Sequence, residues 1–163
     1  MQFFKLVTEF QTLTRRSFVQ ADPDILKPTN VRPLIDGEWL EIDSSYKMAR
    51  GGDNVVTVAG TPDDEKLVSP SFVYFAERGR YETQAIQKGP MIFAGGYEAD
   101  TKVMDGDGLA VGDPLSVWDI DAMGDGVVRR GLAKASGATA YIIGYATRLP
   151  ADNNGFLRFV RFA

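Results

Sequence analysis

Short apolar runs, cut at close intervals by polar and glycine-rich breaks, dominate the last third of the chain. The runs are VWDI at 117–120, VVRRGLAKA at 127–135, AYIIGYA at 140–146 and FLRFVRF at 156–162. Between them lie DGDG at 105–108, VGDP at 111–114, MGDG at 123–126, ASGA at 135–138 and PADNNG at 150–155. Strands of four to eight residues separated by turn signals roughly every 8–12 residues are the pattern of an all-β sandwich or barrel. Asp107-Gly108 and Asp125-Gly126 are candidate hairpin corners, because glycine takes the positive φ of tight turns and aspartate bonds back to nearby backbone. Within 140–146, Tyr141, Ile143 and Tyr145 alternate with Ala140, Ile142, Gly144 and Ala146. That alternation predicts large side chains on one face and close packing on the other. Gly144 marks a bulge or a sharp bend.

The same rhythm extends upstream. LIDGEWLEI predicts a turn at Asp36-Gly37 and a strand over 38–42, with Trp39 as a core anchor, since aromatic side chains carry large buried areas. VVTVA at 55–59 reads as a strand and TPDDEKLVSP at 61–70 as a solvated acidic loop. Further strands fall at 71–79, 80–87 and 90–96, joined by turns at Arg78-Gly79 and Lys88-Gly89-Pro90, and YEADTKVM follows at 97–104. No stretch has the periodicity of an amphipathic helix longer than about three turns. The predicted fold class is all-β: a small β-barrel or β-sandwich with an extended N-terminal arm and little helix. Its single domain covers 37–163, with Trp118, Tyr141, Ile143 and Phe159 in the core.

Residues 1–36 differ from the rest. They set Phe3, Phe4, Phe10 and Phe18 in polar surroundings and end in Pro23, Pro28 and Pro33, which disfavour a helix there. Two arrangements fit. The segment is a first strand or short helix followed by a loop covering the barrel, or it is an arm that leaves the domain and lies on a partner. In the second case Phe3, Phe4, Phe10 and Phe18 are the contacts, because an aromatic-rich segment needs an apolar surface to cover it. Removal of residues 1–20 then leaves the barrel folded.

Composition narrows the function. A net charge of −4 and a pI near 4.9, with scattered basic residues, argue against a nucleic-acid partner, whose footprint is a clustered basic patch. No run of 18 apolar residues predicts a membrane span, and MQFFKLVTEF lacks the features of a signal peptide, so synthesis in a cytoplasm is expected. The chain has no cysteine and no histidine. Thiolate chemistry, sulfur-ligated metals, Ser–His and Cys–His catalysis and the commonest metal ligand are therefore removed together. Carboxylate or lysine chemistry is what remains to an enzyme. Two acidic clusters fail as calcium loops. Leu109 and Ala110 stand at positions five and six counted from Asp105, and Met123 and Arg130 at positions five and twelve counted from Asp119. Turn chemistry accounts for these aspartates, and no catalytic, cofactor or metal site is expected.

LAVGDPLSVWD at 109–119, with Gly112-Asp113-Pro114, followed by the Ile143-Gly144-Tyr145-Ala146 strand and the terminal Phe156 to Phe162 strand, resembles the cadence of tailed-bacteriophage capsid decoration, or head-cement, proteins. The resemblance covers about 60 residues and rests on glycine placement and strand rhythm. It implies a non-enzymatic virion protein, synthesised in the host cytoplasm, that sits as a homotrimer on the outside of the capsid and ties neighbouring capsomers together. The partners it implies are the major capsid protein and further copies of itself, without nucleic acid or membrane. Two alternatives stay open: a tail-tube or head–tail connector subunit, and a carbohydrate-binding or carboxylate-based glycosidase module, for which Trp39, Trp118 and six tyrosines would supply stacking surfaces.

Overall fold

The structure, a computed structural model, describes residues 3–19, 34–42, 47–49, 72–74, 88–122, 124, 126, 128–136 and 141–162. In chain order the strands are β1 (Phe4–Glu9), β2 (Thr14–Val19), β3 (Trp39–Ile42), β4 (Met48–Ala49), β5 (Phe72–Tyr74), β6 (Lys88–Ala94), β7 (Tyr97–Thr101), β8 (Pro114–Ile120), β9 (Arg129–Lys134), β10 (Gly144–Arg148) and β11 (Leu157–Arg161). A single 3-10 turn over Pro150–Asp152 is the helical element among the described residues. The fold is all-β, as the alternation predicts.

The strands form two antiparallel sheets: a six-stranded sheet in the order β1-β7-β11-β10-β8-β9 and a five-stranded sheet in the order β2-β6-β5-β3-β4. Among the described residues no closed barrel forms. Period-two patterning decides what lies between the sheets. In β11, Leu157, Phe159 and Arg161 are buried while Arg158 and Val160 are only partly covered. The inward side chains of β11 and β7 meet Phe4 of β1 and, from the other sheet, Trp39 and Val73. β8 is buried on both faces: Leu115 and Val117 join that core, while Trp118 and Ile120 form a smaller cluster with Ala133. The Trp118 Nε1–H donates to Ser116 Oγ at 2.9 Å, which satisfies its one buried donor.

Several expectations meet the structure directly. Asp36-Gly37 is a turn, with Gly37 at φ 95°, and it delivers Trp39 into the core fully buried. Ile143 and Phe159 are buried, Trp118 is 5% exposed, and Tyr141 packs partly buried against the main core. Asp107-Gly108 is a turn but no hairpin corner, because β7 pairs with β1 and β11 rather than with β8. The hairpin lies between β8 and β9, closed by Ile120 opposite Arg129.

Three expectations are corrected. Lys88-Gly89-Pro90 is the start of β6, opposite Val19, Phe18 and Ser17, and not a turn. Among the described residues β5 reaches only Met91 and Ile92, so Pro90 has one strand neighbour and its missing N–H removes no second ladder bond. The strand expected over 140–146 begins at Gly144, and Tyr145 is exposed while Gly144 and Ala146 are buried. A Cβ on Gly144 would collide with the Val160 carbonyl oxygen, so the inner face here takes small residues and the large ring points out. Last, β1 is hydrogen-bonded to β7 within the six-stranded sheet, and its Phe4 lies in the core rather than on an arm. The segments expected at 55–59, 61–70 and 80–87 and the Arg78-Gly79 turn lie outside the described residues.

Candidate functional site

The outward face of the six-stranded sheet carries the most distinctive chemistry. Its strand registers align residues in rows, since directly opposed residues of an antiparallel pair share a face. One row crosses four strands: Lys5 of β1 opposite Asp100 of β7, Asp100 opposite Arg158 of β11, and Arg158 opposite Arg148 of β10. The next row on the same face runs Thr8, Glu98, Val160, Tyr145 and Pro114. Beyond it the strands end at two aromatic rings.

Those rings are Phe10 and Phe162. They stack with centres 6.3 Å apart and planes 18° apart, yet are 50% and 70% exposed. The sequence explains the placement. The Phe10 N–H donates to the Gly96 carbonyl at 2.9 Å, and Gly96, without a side chain, leaves room for the Phe10 ring against it. Phe162 follows β11 directly. Tyr145, 44% exposed, and Val7, 39% exposed, add apolar surface on β10 and β1.

In the charged row, Asp100 is fully buried and its carboxylate is held by three partners. Arg158 grips it bidentately, Nε to Oδ1 at 2.8 Å and Nη2 to Oδ2 at 3.1 Å, Asn153 Nδ2 donates to Oδ1 at 2.9 Å, and Lys5 Nζ lies 3.5 Å from Oδ2. Burial works against the charge on Asp100. The hydrogen bonds from Arg158 and Asn153, with the charges of Arg158 and Lys5, outweigh burial and hold its pKa below the ordinary aspartate value. Such a carboxylate is committed to structure and is a poor proton acceptor. Beside it, the ammonium groups of Lys5 and Lys102 each sit 4.8 Å from the centre of the Phe156 ring, a cation–π arrangement.

On the inward face, Arg161 is buried with its guanidinium 5.6 Å from the Trp39 ring. The Tyr97 phenol is pushed up to about 12 by burial, which exceeds the opposing effect of the nearby Arg161 guanidinium. Tyr74 is likewise raised to about 12, by burial first and then by Asp36 and Glu38. Both phenols keep their protons across the physiological range.

A separate cleft of about 100 Å³ is lined by Asp105, Asp107, Trp118, Ile120, Ala133 and Lys134. It brings two carboxylates beside a tryptophan, but ligand pockets run from about 300 Å³ upward. Asp105 Oδ1 accepts the Asp107 N–H at 3.0 Å, which makes it a turn residue. Asp121 Oδ2 accepts the Gly126 N–H at 3.0 Å, and Asp119 pairs with Arg130 at 3.2 Å. Among the described residues no group of three acidic side chains is placed to hold a metal ion.

No family model, curated protein or solved structure matches the chain.

Of the four phenylalanines expected as partner contacts, Phe10 is a surface residue and Phe3 is half-buried, its carbonyl accepting the Lys102 N–H at 2.8 Å. Phe4 is a core residue, and the side chain of Phe18 lies outside the described residues. The four do not form one contact surface. Phe10 instead joins Phe162, from the opposite end of the sequence. The charged row went unseen in the sequence, although E-A-D at 98–100 carried part of its signal: charges at alternate positions that share an outward face once the strands pair. The stretches that resemble decoration proteins do meet. The Gly112 N–H donates to the Ala146 carbonyl at 2.7 Å, the Ala146 N–H to the Asp113 carbonyl at 3.0 Å, and Tyr145 lies opposite Val160.

Proposed function

We propose that this chain is a non-enzymatic structural protein of a phage virion, which binds the outside of the capsid and stabilises the lattice by bridging neighbouring capsomers. The observation that carries the proposal is the Phe10–Phe162 pair: two stacked rings exposed to solvent at the rim of a sheet, one anchored by its N–H to the Gly96 carbonyl and the other directly following β11. Apolar surface of this kind is stabilised when a second protein covers it. The contiguity of the segments that resemble decoration proteins is consistent with this use.

The mechanism needs no catalysis. A ligand that binds only the assembled lattice stabilises it by mass action, by about 4 kcal/mol per site at a thousandfold excess over Kd. A homotrimer would add multivalency, because the first engaged subunit raises the effective concentration of the others. The major capsid protein is the proposed partner.

The test is the mass of the purified protein by light scattering, alone and after mixing with expanded, undecorated capsids. Saturable co-sedimentation with shells, from a small oligomer, is expected. Rings or tubes formed without shells would move the assignment to a tail-tube or connector subunit. A protein that ignores shells and does not self-assemble would overturn both and return a carbohydrate-directed module to the front.

A further inference from the structure

The row Lys5–Asp100–Arg158–Arg148 sets three cations against one carboxylate on a chain whose net charge is −4. Like charges directly opposed across two strands are destabilising. Asp100 neutralises Arg158, but among the described residues Arg148 has no carboxylate within ion-pair reach. Lys102, two residues along from Asp100, also lacks a carboxylate partner there; its ammonium faces the Phe156 ring, as does that of Lys5. The Phe156 ring thus holds two ammonium groups at most twice 4.8 Å apart, and that of Lys5 also lies 3.5 Å from Asp100 Oδ2.

We propose that this outward face is a docking surface for an extended acidic protein segment, its carboxylates meeting the Lys5–Phe156–Lys102 site at one end and Arg148 at the other. Charge complementarity selects the occupant. Three strand intervals separate Lys5 from Arg148, about 14 Å, which is the span of about four residues of extended chain. Carboxylates at positions i and i+4 of an acidic strand match that spacing. A nucleic-acid backbone fits less well, because a phosphate footprint needs a larger basic area than these few cations provide. The acidic segment is independent of the capsid assignment: peptide binding tests the face, and co-sedimentation with shells tests the function.

The experiment is fluorescence anisotropy on the full chain, with a labelled peptide of alternating glutamate and threonine and the same peptide carrying glutamine for glutamate. Saturable binding of the glutamate peptide at low salt is expected, lost at high salt and absent for the glutamine peptide. Lys102→Gln and Arg148→Gln should each weaken it by about tenfold, as for charges paired across an interface, whereas Lys47→Gln should leave it unchanged. If Arg148→Gln lowers the melting temperature, Lys102→Gln alone decides the comparison. No saturable binding at low salt, equal binding of the glutamine peptide, or an equal loss in Lys47→Gln overturns the assignment. So does tighter binding of a labelled oligothymidylate that depends on Lys102 and Arg148, which would give the face to nucleic acid.

Discussion

Trp39 of β3 and Phe159 of β11 meet between the two sheets with ring centres 6.4 Å apart and planes 59° apart. Phe159 also lies 6.4 Å from the Phe4 ring and 6.0 Å from that of Tyr97, edge-on to the latter at 74°. One ring therefore joins β1, β7 and β3. Phe159→Ala should cost about 3–5 kcal/mol in urea denaturation, the range for removing a large core aromatic. A loss below about 1 kcal/mol would show that the sheets do not depend on this contact.

Backbone approach sets a second expectation. Gly144 has no room for a Cβ because the Val160 carbonyl stands in the way, and backbone cannot swing aside as a side chain can. Gly144→Ala should destabilise by about 3 kcal/mol or more through forced separation of β10 from β11. Gly106→Ala, whose nearest neighbour would be Pro150 at 3.4 Å, is the control and should be nearly neutral in the same thermal melts.

Acid sensitivity follows from Asp100. Its native pKa lies below the unfolded value, so its contribution is fully present above the unfolded pKa of about 3.9 and is lost as pH falls through the depressed native one. Asp100→Asn should lower stability at neutral pH by about 2–3 kcal/mol, less than for a fully buried pair because Arg158 keeps some exposure. It should also flatten the fall in stability below about pH 4. Denaturation curves across pH for both proteins check the two outcomes together; an unchanged acid limb in the variant would remove Asp100 as its cause.

The exposed pair predicts the opposite separation of effects. Phe10→Ser and Phe162→Ser should each change stability by no more than about 1 kcal/mol, as expected for surface positions. Both should weaken co-sedimentation with undecorated shells. Full shell binding by the double variant would show that these rings do not form the contact.

The sequence made strands and local turns readable because their determinants are local. Asp36-Gly37 ahead of Trp39, and the alternation of Leu157 and Phe159 with Arg158 and Val160, need no knowledge of the partner strand. Register is different. Nothing near Lys5 says that Asp100 will stand opposite it, and nothing near Phe10 foretells Phe162. The N-terminal segment was ambiguous for the same reason: its aromatic residues suit either a strand or an arm, and only pairing with β7 decides. Arg161 shows the limit of polarity as a guide, since it occupies an inward position over Trp39 where an apolar residue would be expected.

The pairing of β1 with β7 also has a temporal side. Residues 4–9 leave the ribosome long before residues 97–101 exist to receive them. At synthesis rates of about 5–20 residues per second, β1 waits roughly five to twenty seconds with Phe4 and Leu6 uncovered. β2, whose partner β6 is almost as distant in sequence, shares that delay. The nascent chain thus carries β1 and β2 as unpaired, aggregation-prone segments, and its yield in a cell should depend on chaperone capacity more than the stability of the finished fold suggests.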